Sequence, residues 1–316
     1  MSDLVRVLSA RRRPVKELAV ISGKGGTGKT SIVASFAALS RNSVLADCDV
    51  DAADLHLVLK PRVLRRNEFT GGNRARIKAG HCTACRKCEE LCRFGAIFFD
   101  GPGNTVVEKT FRVDPMICEG CGVCAWFCAE DAVEFGPVVN GEWFVSETRC
   151  GPMVHARLGI GQENSGKLVS TVRTSAKRVA EERGLDLVII DGSPGIGCPV
   201  IASVTGATLA LAVTEPTLSG LHDLERVAEL TRHFGIATLV CVNKWDLNQQ
   251  VCERIEERAN EMGLALAGRV RYDRAVTEAQ IRGIAVIEYA QNGCSADLGA
   301  VWSTVAAHLN GSAASA

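Results

Sequence analysis

Eight of the fourteen cysteines fall into two dense runs. Cys82, Cys85, Cys88 and Cys92 are spaced C-x2-C-x2-C-x3-C and are followed by Ala96-Ile97. Cys118, Cys121, Cys124 and Cys128 repeat the spacing 36 residues later, followed by Ala132-Val133. In an exported chain such thiols would pair as disulfides. The N-terminal MSDLVRVLSARRRP has no apolar run long enough for a signal peptide, so the expectation is a cytoplasmic protein whose thiolates ligate a metal or a cluster. A second chemistry lies upstream. Gly23-Lys24-Gly25-Gly26-Thr27-Gly28-Lys29-Thr30-Ser31 has the composition of a phosphate-binding loop. Glycines let backbone N–H groups turn towards phosphate oxygens, and a following helix adds positive charge at its N-terminus. Lys29 is expected to reach the β- and γ-phosphates and Thr30 to ligate Mg²⁺.

Both sets need elements to hold them. ELAVIS (17–22) is a short apolar run ending in glycines, a buried strand feeding the loop, with a helix expected from about Gly28 to Arg41. SVLADC (43–48), LDLVIID (185–191), ATLALAV (207–213) and IATLVCV (236–242) read as further strands. Between the last two, apolar residues at helical spacing predict a helix over 219–234. Strands alternating with helices imply an α/β fold with a doubly wound, mostly parallel sheet. The alternation breaks where Cys, Gly and Arg become frequent. The expected organisation is an α/β domain in two parts, 1–60 and 148–316, interrupted after its second strand by a small α+β domain over 61–147. The cysteine repeat makes that insertion pseudo-symmetric. So small a domain gains from ligation the stability its core lacks.

The early lysine of the loop, Lys24, is informative. With it, the chain outside the insertion resembles the deviant Walker A ATPases, a family that includes MinD, ParA, Mrp and the nitrogenase iron protein. The resemblance implies an ATP-dependent homodimer in which Lys24 crosses to the partner's nucleotide, acting on γ-phosphate charge as an arginine finger does. It also implies that Asp49 orients the attacking water, that Asp191 stands near Mg²⁺, and that the Gly-Ser-Pro-Gly-Ile-Gly after Asp191 is a switch loop. Each aspartate alone would pass as a strand-end cap; Asp51 and Asp54 read as solvated loop charges. Asn243 matches the base-contacting asparagine. Asn243-Lys244-Trp245-Asp246 also resembles the guanine-reading N-K-x-D of GTPases; ATP is favoured from the family, with Asp246 speaking for guanine.

The cysteine spacing resembles that of bacterial two-cluster ferredoxins, where three cysteines of a run hold one cubane and the fourth reaches the other. This implies two 4Fe-4S clusters, one on Cys82, Cys85, Cys88 and Cys128, the other on Cys118, Cys121, Cys124 and Cys92. Gly120 and Gly122 suit the tight turns around cluster sulfurs. Zinc is the alternative metal, but zinc knuckles pair two C-x2-C units across a longer gap. Proline usually follows the fourth cysteine, and Arg93 and Ala129 stand there instead. The whole chain, including PMVHARLGIGQENSGKLV (152–169), resembles MinD-superfamily ATPases with an inserted ferredoxin domain. In that last stretch Asn164 or Ser165 is expected to cap the next helix and His155 to be a satisfied strand residue.

The 316 residues carry 36 basic and 36 acidic side chains, so neither nucleic acid nor an anionic membrane is an expected partner. Arg11-Arg12-Arg13 reads as a solvated arm, the C-terminal GSAASA as a frayed end, and no stretch approaches a spanning helix. Three functions compete: an ATPase gating electron transfer to a redox partner protein, an iron–sulfur carrier of the Mrp type, and a spatial organiser like MinD or ParA. The second lacks its C-terminal C-x-x-C, since Cys294 stands alone; the third lacks a membrane helix. Cys198 follows Asp191 at the offset of a cluster ligand in the nitrogenase iron protein, which raises a dimer-bridging cluster, with Cys150 as the one candidate second ligand; otherwise Cys198 is a small buried residue.

Overall fold

The computed structural model describes residues 14–159 and 166–311; Arg11-Arg12-Arg13, Asn164, Ser165 and the last five residues of the C-terminal tail lie outside them. The strands are β1 Lys16–Ser22, β2 Ser43–Asp47, β3 Arg62–Ile77, β4 Ile97–Gly101, β5 Thr110–Val113, β6 Val133–Thr148, β7 Gly151–Leu158, β8 Leu187–Pro194, β9 Leu209–Thr214, β10 Thr238–Asn243 and β11 Ala265–Val270. The helices are α1 Lys29–Leu39, α2 Leu55–Leu59, α3 Lys87–Leu91, α4 Val123–Trp126, α5 Lys167–Arg183, α6 Cys198–Val204, α7 Leu218–His233, α8 Gln249–Glu261, α9 Arg274–Arg282, α10 Val286–Tyr289 and α11 Cys294–Leu309.

The described chain divides into two compact units. One takes the residues up to Asn67, Trp143–Arg157 and everything described from Gly166 on; the other takes Glu68–Glu142 with Leu158 and Gly159. The second is narrower than the expected 61–147, because β3 and β6, each 16 residues long, run across its two boundaries.

In the first unit the strands lie in the order β11-β10-β9-β1-β8-β2-β7, with β6 and β3 beyond β7. Every adjacent pair from β11 to β7 is parallel. Leu18–Ile21 on β1 and Val188–Ile190 on β8 are wholly buried, as strands covered on both faces must be. β1 has β8 on one side and β9 on the other. The crevice where strand order reverses opens beyond the carboxyl end of β1, where the phosphate loop begins. α1 buries Ile32, Val33 and Phe36 in the core, and Phe36 packs on Trp302 of α11 with ring centroids 5.0 Å apart. β7 and β11 were not among the strands read from the sequence, although His155 of β7 was read as a strand residue: β11 is an edge strand whose apolar run is broken by Gly268 and Arg269, and β7 carries Pro152, His155 and Arg157 among its apolar residues.

The second unit pairs β4 with β5 antiparallel. Its core is small. Cys82, Ile97, Phe111 and Ala132 are buried, and Ile77, Val113, Cys88, Cys92, Cys124 and Cys128 pack against them. No helix among the described residues is long and apolar enough to cross a membrane.

Candidate functional site

The loop between β1 and α1 holds its shape through glycine. Gly26 and Gly28 take φ of 79° and 87°, and a side chain on Gly28 would strike the Asn243 amide. Ser22 Oγ donates to Lys24 O at 2.7 Å, and Asn243 Nδ2 donates to Thr27 O at 2.7 Å. Lys29, at the first position of α1, is buried and its Nζ lies 3.6 Å from Asp49 Oδ2. Burial raises the Asp49 carboxyl, with the Lys29 ammonium opposing.

Asp47 on β2 and Asp191 on β8 are cross-strand partners in register, and Asp191 is also paired with Val20 of β1. Both carboxylates are buried, and none of their oxygens has a hydrogen-bond partner; Thr27 Oγ1 is orphaned too. Burial lifts Asp191 to about 6, against the pull of the Lys29 ammonium and the neighbouring Thr30 hydroxyl. Burial, then the Asp191 and Asp49 charges, raise Asp47 further. Buried carboxylate oxygens without donors, beside a phosphate loop, are the hard oxygen ligands that Mg²⁺ takes. Asp47 was not singled out in the sequence, where it looks like one more residue of an apolar strand. The register with Asp191 is what exposes it.

The switch segment is tied to both neighbouring strands. Ser193 Oγ donates to Cys48 O at 2.7 Å, Cys48 N to Asp191 O at 2.9 Å, and Gly195 N to Ser22 O at 2.8 Å. Lys24 points back onto its own chain. Its Nζ lies 3.1 Å from Ser219 Oγ, 3.3 Å from Thr217 Oγ1 and 3.7 Å from Glu215 Oε2. Glu215 also pairs with Lys244, whose Nζ donates to Gly26 O at 3.3 Å. Asp51 and Asp54 are exposed.

Beside the loop opens a cleft of about 250 Å³. Gly26, Gly28, Ser31 and Asn243 line it, over an apolar floor of Ile32, Val270, Val276, Val286 and Leu298. A flat base fits such a floor. Asn243 faces the cleft, yet its amide is spent on Thr27 O and on the Lys244 N–H, so it ties the β10 end to the phosphate loop.

In the second unit the 36-residue repeat is written into the backbone. Ala84 and Gly120 have φ of 55° and 63°, Arg86 and Gly122 66° and 78°, Gly95 and Asp131 65° and 48°. α3 and α4 follow at equivalent positions. Lys78 N donates to Ala132 O and Asp114 N to Ala96 O, both at 2.7 Å, an exchange between the halves. Ala96 N reaches Cys92 Sγ at 3.4 Å and Ala132 N reaches Cys128 Sγ at 3.3 Å. One hollow is lined by Cys82, Cys85, Cys88 and Cys128, together with Ile77 and Phe111. Burial pushes the Cys88 thiol up to about 11, with Cys82, Cys85 and Cys124 adding to the rise. Cys124 is raised by burial and then by Cys118, Cys121 and Cys92. Among the described residues, no three His, Cys, Asp or Glu side chains converge as the ligands of a single ion.

Cys198 is the first residue of α6 and is exposed, not buried as a structural cysteine would be. Cys150 precedes β7 at the N-terminal end of the parallel sheet, while Cys198 follows the C-terminal end of β8. The two therefore lie at opposite ends of the sheet and cannot serve one cluster on a dimer axis. His155 accepts or donates with Ser146 Oγ at 2.9 Å and stacks on Phe144, a satisfied strand residue as expected.

Residues 18–286 match the profile described as CobQ/CobB/MinD/ParA nucleotide binding domain. An uncharacterized protein of Methanocaldococcus jannaschii, MJ0578, is 35% identical over 238 residues, 74% of this chain and 80% of its own. Among solved structures, the cell division ATPase MinD of Pyrococcus furiosus is similar with a TM-score of 0.54 and 17% identity, covering 92% of this chain and 98% of that one. The septum site-determining protein MinD of Pyrococcus horikoshii, complexed with Mg-ADP, gives 0.53 and 17%, covering 92% and 96%.

Proposed function

Since the chain belongs to the CobQ/CobB/MinD/ParA nucleotide-binding family, we propose that it binds and hydrolyses Mg·ATP as a homodimer and uses that cycle to gate electron transfer, through two 4Fe-4S clusters, to a redox partner protein. The family supports the nucleotide half. Gly23–Ser31 would cradle the phosphates, with Lys29 on the β- and γ-groups. Thr30 and Asp191 would hold Mg²⁺, with Asp47 the cross-strand neighbour of Asp191; the ion would supply positive charge to the phosphate oxygens. Asp49, 3.6 Å from Lys29, would orient the attacking water. Lys24 would leave Glu215 and Ser219 of its own chain and cross to the partner's nucleotide.

The observation that carries the redox half is the hollow shared by Cys82, Cys85, Cys88 and Cys128. Three of these thiols come from one repeat and the fourth from the other, and the crowding of Cys124 with Cys118, Cys121 and Cys92 mirrors it. Thiols gathered around a volume suit a multi-iron core better than one zinc ion. Such a core takes up and passes single electrons. Burial raises the Cys88 and Cys124 thiols, so loading of a cluster would go together with their deprotonation. A carrier role would require the same clusters to be given up, and ligands drawn from two repeats around one hollow oppose that.

The deciding experiment uses anaerobically purified protein. Cluster EPR signals and the rate of electron delivery to a dye acceptor are compared with ADP and with a non-hydrolysable ATP analogue. Nucleotide-dependent signals and rates support gating. Transfer of labelled clusters to an apo-acceptor on ATP addition, with no effect on electron delivery, would instead make the protein a carrier.

A further inference from the structure

Asn243-Lys244-Trp245-Asp246 has the form of a guanine reader, and its aspartate is not used in the function above. A carboxylate reads guanine by turning both oxygens to the base, which offers N1–H and N2–H donors that adenine lacks. Asp246 does something else. Its Oδ1 accepts the Tyr272 backbone N–H at 2.7 Å. Asn243, Lys244, Arg271, Tyr272 and Asp273 line the cleft, and Asp246 is not among the residues that do.

The local backbone explains the diversion. Lys244 takes a left-handed φ of 56°, and the chain turns through a short 3-10 segment, Trp245–Leu247. That turn delivers Asp246 to the stretch after β11. The same stretch is pinned at each step. Arg269 is forked by Glu256 and lies over the Trp245 ring, 5.3 Å from its centroid. Asp297 accepts from Arg271 N at 3.0 Å, Nε at 2.7 Å and Nη2 at 2.9 Å. Asp273 caps α9 through Ala275 N at 2.9 Å and accepts Cys294 N at 3.3 Å. Among the described residues, Asp246 holds the Tyr272 step of 271–273 from the β10 side of the cleft.

We infer that Asp246 is a positioning residue: it fixes the 271–273 wall of the base cleft through the Tyr272 N–H instead of turning its carboxylate to a guanine base. The inference rests on the nucleotide-binding reading of the cleft. Asp246→Asn keeps an oxygen acceptor for the Tyr272 N–H, whereas Asp246→Ala removes it, so the two variants separate positioning from base reading.

The test measures equilibrium binding of ATP, GTP, xanthosine triphosphate and inorganic tripolyphosphate to the full chain, with thermal unfolding as a control. The wild type is expected to prefer ATP over GTP. Asp246→Asn is expected to keep ATP affinity within about threefold and gain nothing for xanthosine triphosphate. Asp246→Ala is expected to lose about tenfold in ATP affinity, the order of one charge-assisted hydrogen bond, and to narrow the ATP-to-GTP ratio with tripolyphosphate binding unchanged. Equal losses for ATP, GTP and tripolyphosphate would mean a general structural role and overturn the inference. So would a wild type that prefers GTP, or an Asp246→Asn that turns to xanthosine triphosphate, whose C2 carbonyl accepts where guanine's amino group donates. A wild type that binds tripolyphosphate but no nucleotide would sink the reading of the cleft itself, which is a distinguishable failure.

Discussion

Lys24 Nζ lies 3.7 Å from Glu215 Oε2 of its own chain, and Glu215 pairs with Lys244 as well. The early lysine of the loop is thus held in cis by Glu215, Thr217 and Ser219, groups it can leave. Lys29 by contrast is buried against Asp49. The two lysines should separate cleanly by mutation. Lys24→Ala is expected to bind ATP with near wild-type affinity and to hydrolyse it about 10³-fold more slowly, the lower end for a cation supplied in trans. Lys29→Ala is expected to lose binding too. Equilibrium nucleotide binding and phosphate release measure both, and wild-type turnover in Lys24→Ala would remove the in-trans role.

His155 gives a pH signature. Burial holds its imidazole down at about 4, with the His56 charge adding to the depression, against an ordinary value of 6.5. The unfolded chain therefore takes the proton first. Its contribution to stability is complete above about 6.5 and is lost as pH falls towards 4. A full shift of that size is worth about 3 kcal/mol, and partial exposure reduces it to ~1–2 kcal/mol. Thermal unfolding followed from pH 7 to 4 is expected to fall several degrees more steeply in wild type than in His155→Gln. Parallel curves would show that the Ser146–His155 pair does not carry the effect.

Much of this was legible in residue order, because the physics was local. The phosphate loop is a contiguous run, central parallel strands are contiguous apolar runs, and the cysteine repeat has a fixed period. What escaped depends on neighbours distant in sequence. Asp47 acquires meaning only from its register with Asp191, Glu215 only from Lys24 and Lys244, and Asp246 only from Tyr272. Asn243 was expected at the base; it lines the cleft beside the loop, and its amide is spent on Thr27 O and the Lys244 N–H. β11 escaped because Gly268 and Arg269 break the apolar run of an edge strand, and β7 because Pro152, His155 and Arg157 interrupt its own.

Cys198 illustrates the same limit from the other side. Its offset from Asp191 suggested a ligand on the dimer axis, but Cys150 is at the far end of the sheet. Cys198→Ser is accordingly expected to leave iron per dimer unchanged. Metal analysis of anaerobic wild type and variant decides it; a drop of about four iron per dimer would restore the bridging cluster.

The sharpest test of the cysteine unit follows from the composition of its hollow. If Cys82, Cys85, Cys88 and Cys128 surround one cluster, residues 40 positions apart in sequence serve one centre while Cys88 and Cys92, four apart, serve two. Wild type prepared anaerobically is expected to hold about eight iron and eight acid-labile sulfide per chain. Cys88→Ser and Cys128→Ser should each lose about four iron and abolish the same EPR signal. Cys92→Ser should abolish the other signal, because the crowding of Cys124 groups Cys92 with Cys118 and Cys121. Nucleotide affinity should hold in all three variants, since the phosphate loop and the base cleft belong to the other compact unit. If Cys88→Ser and Cys92→Ser removed the same signal, each run would hold its own centre and the exchange between repeats would be wrong. Stoichiometric zinc without visible absorption after anaerobic work would remove the redox reading altogether, while leaving the nucleotide site untouched.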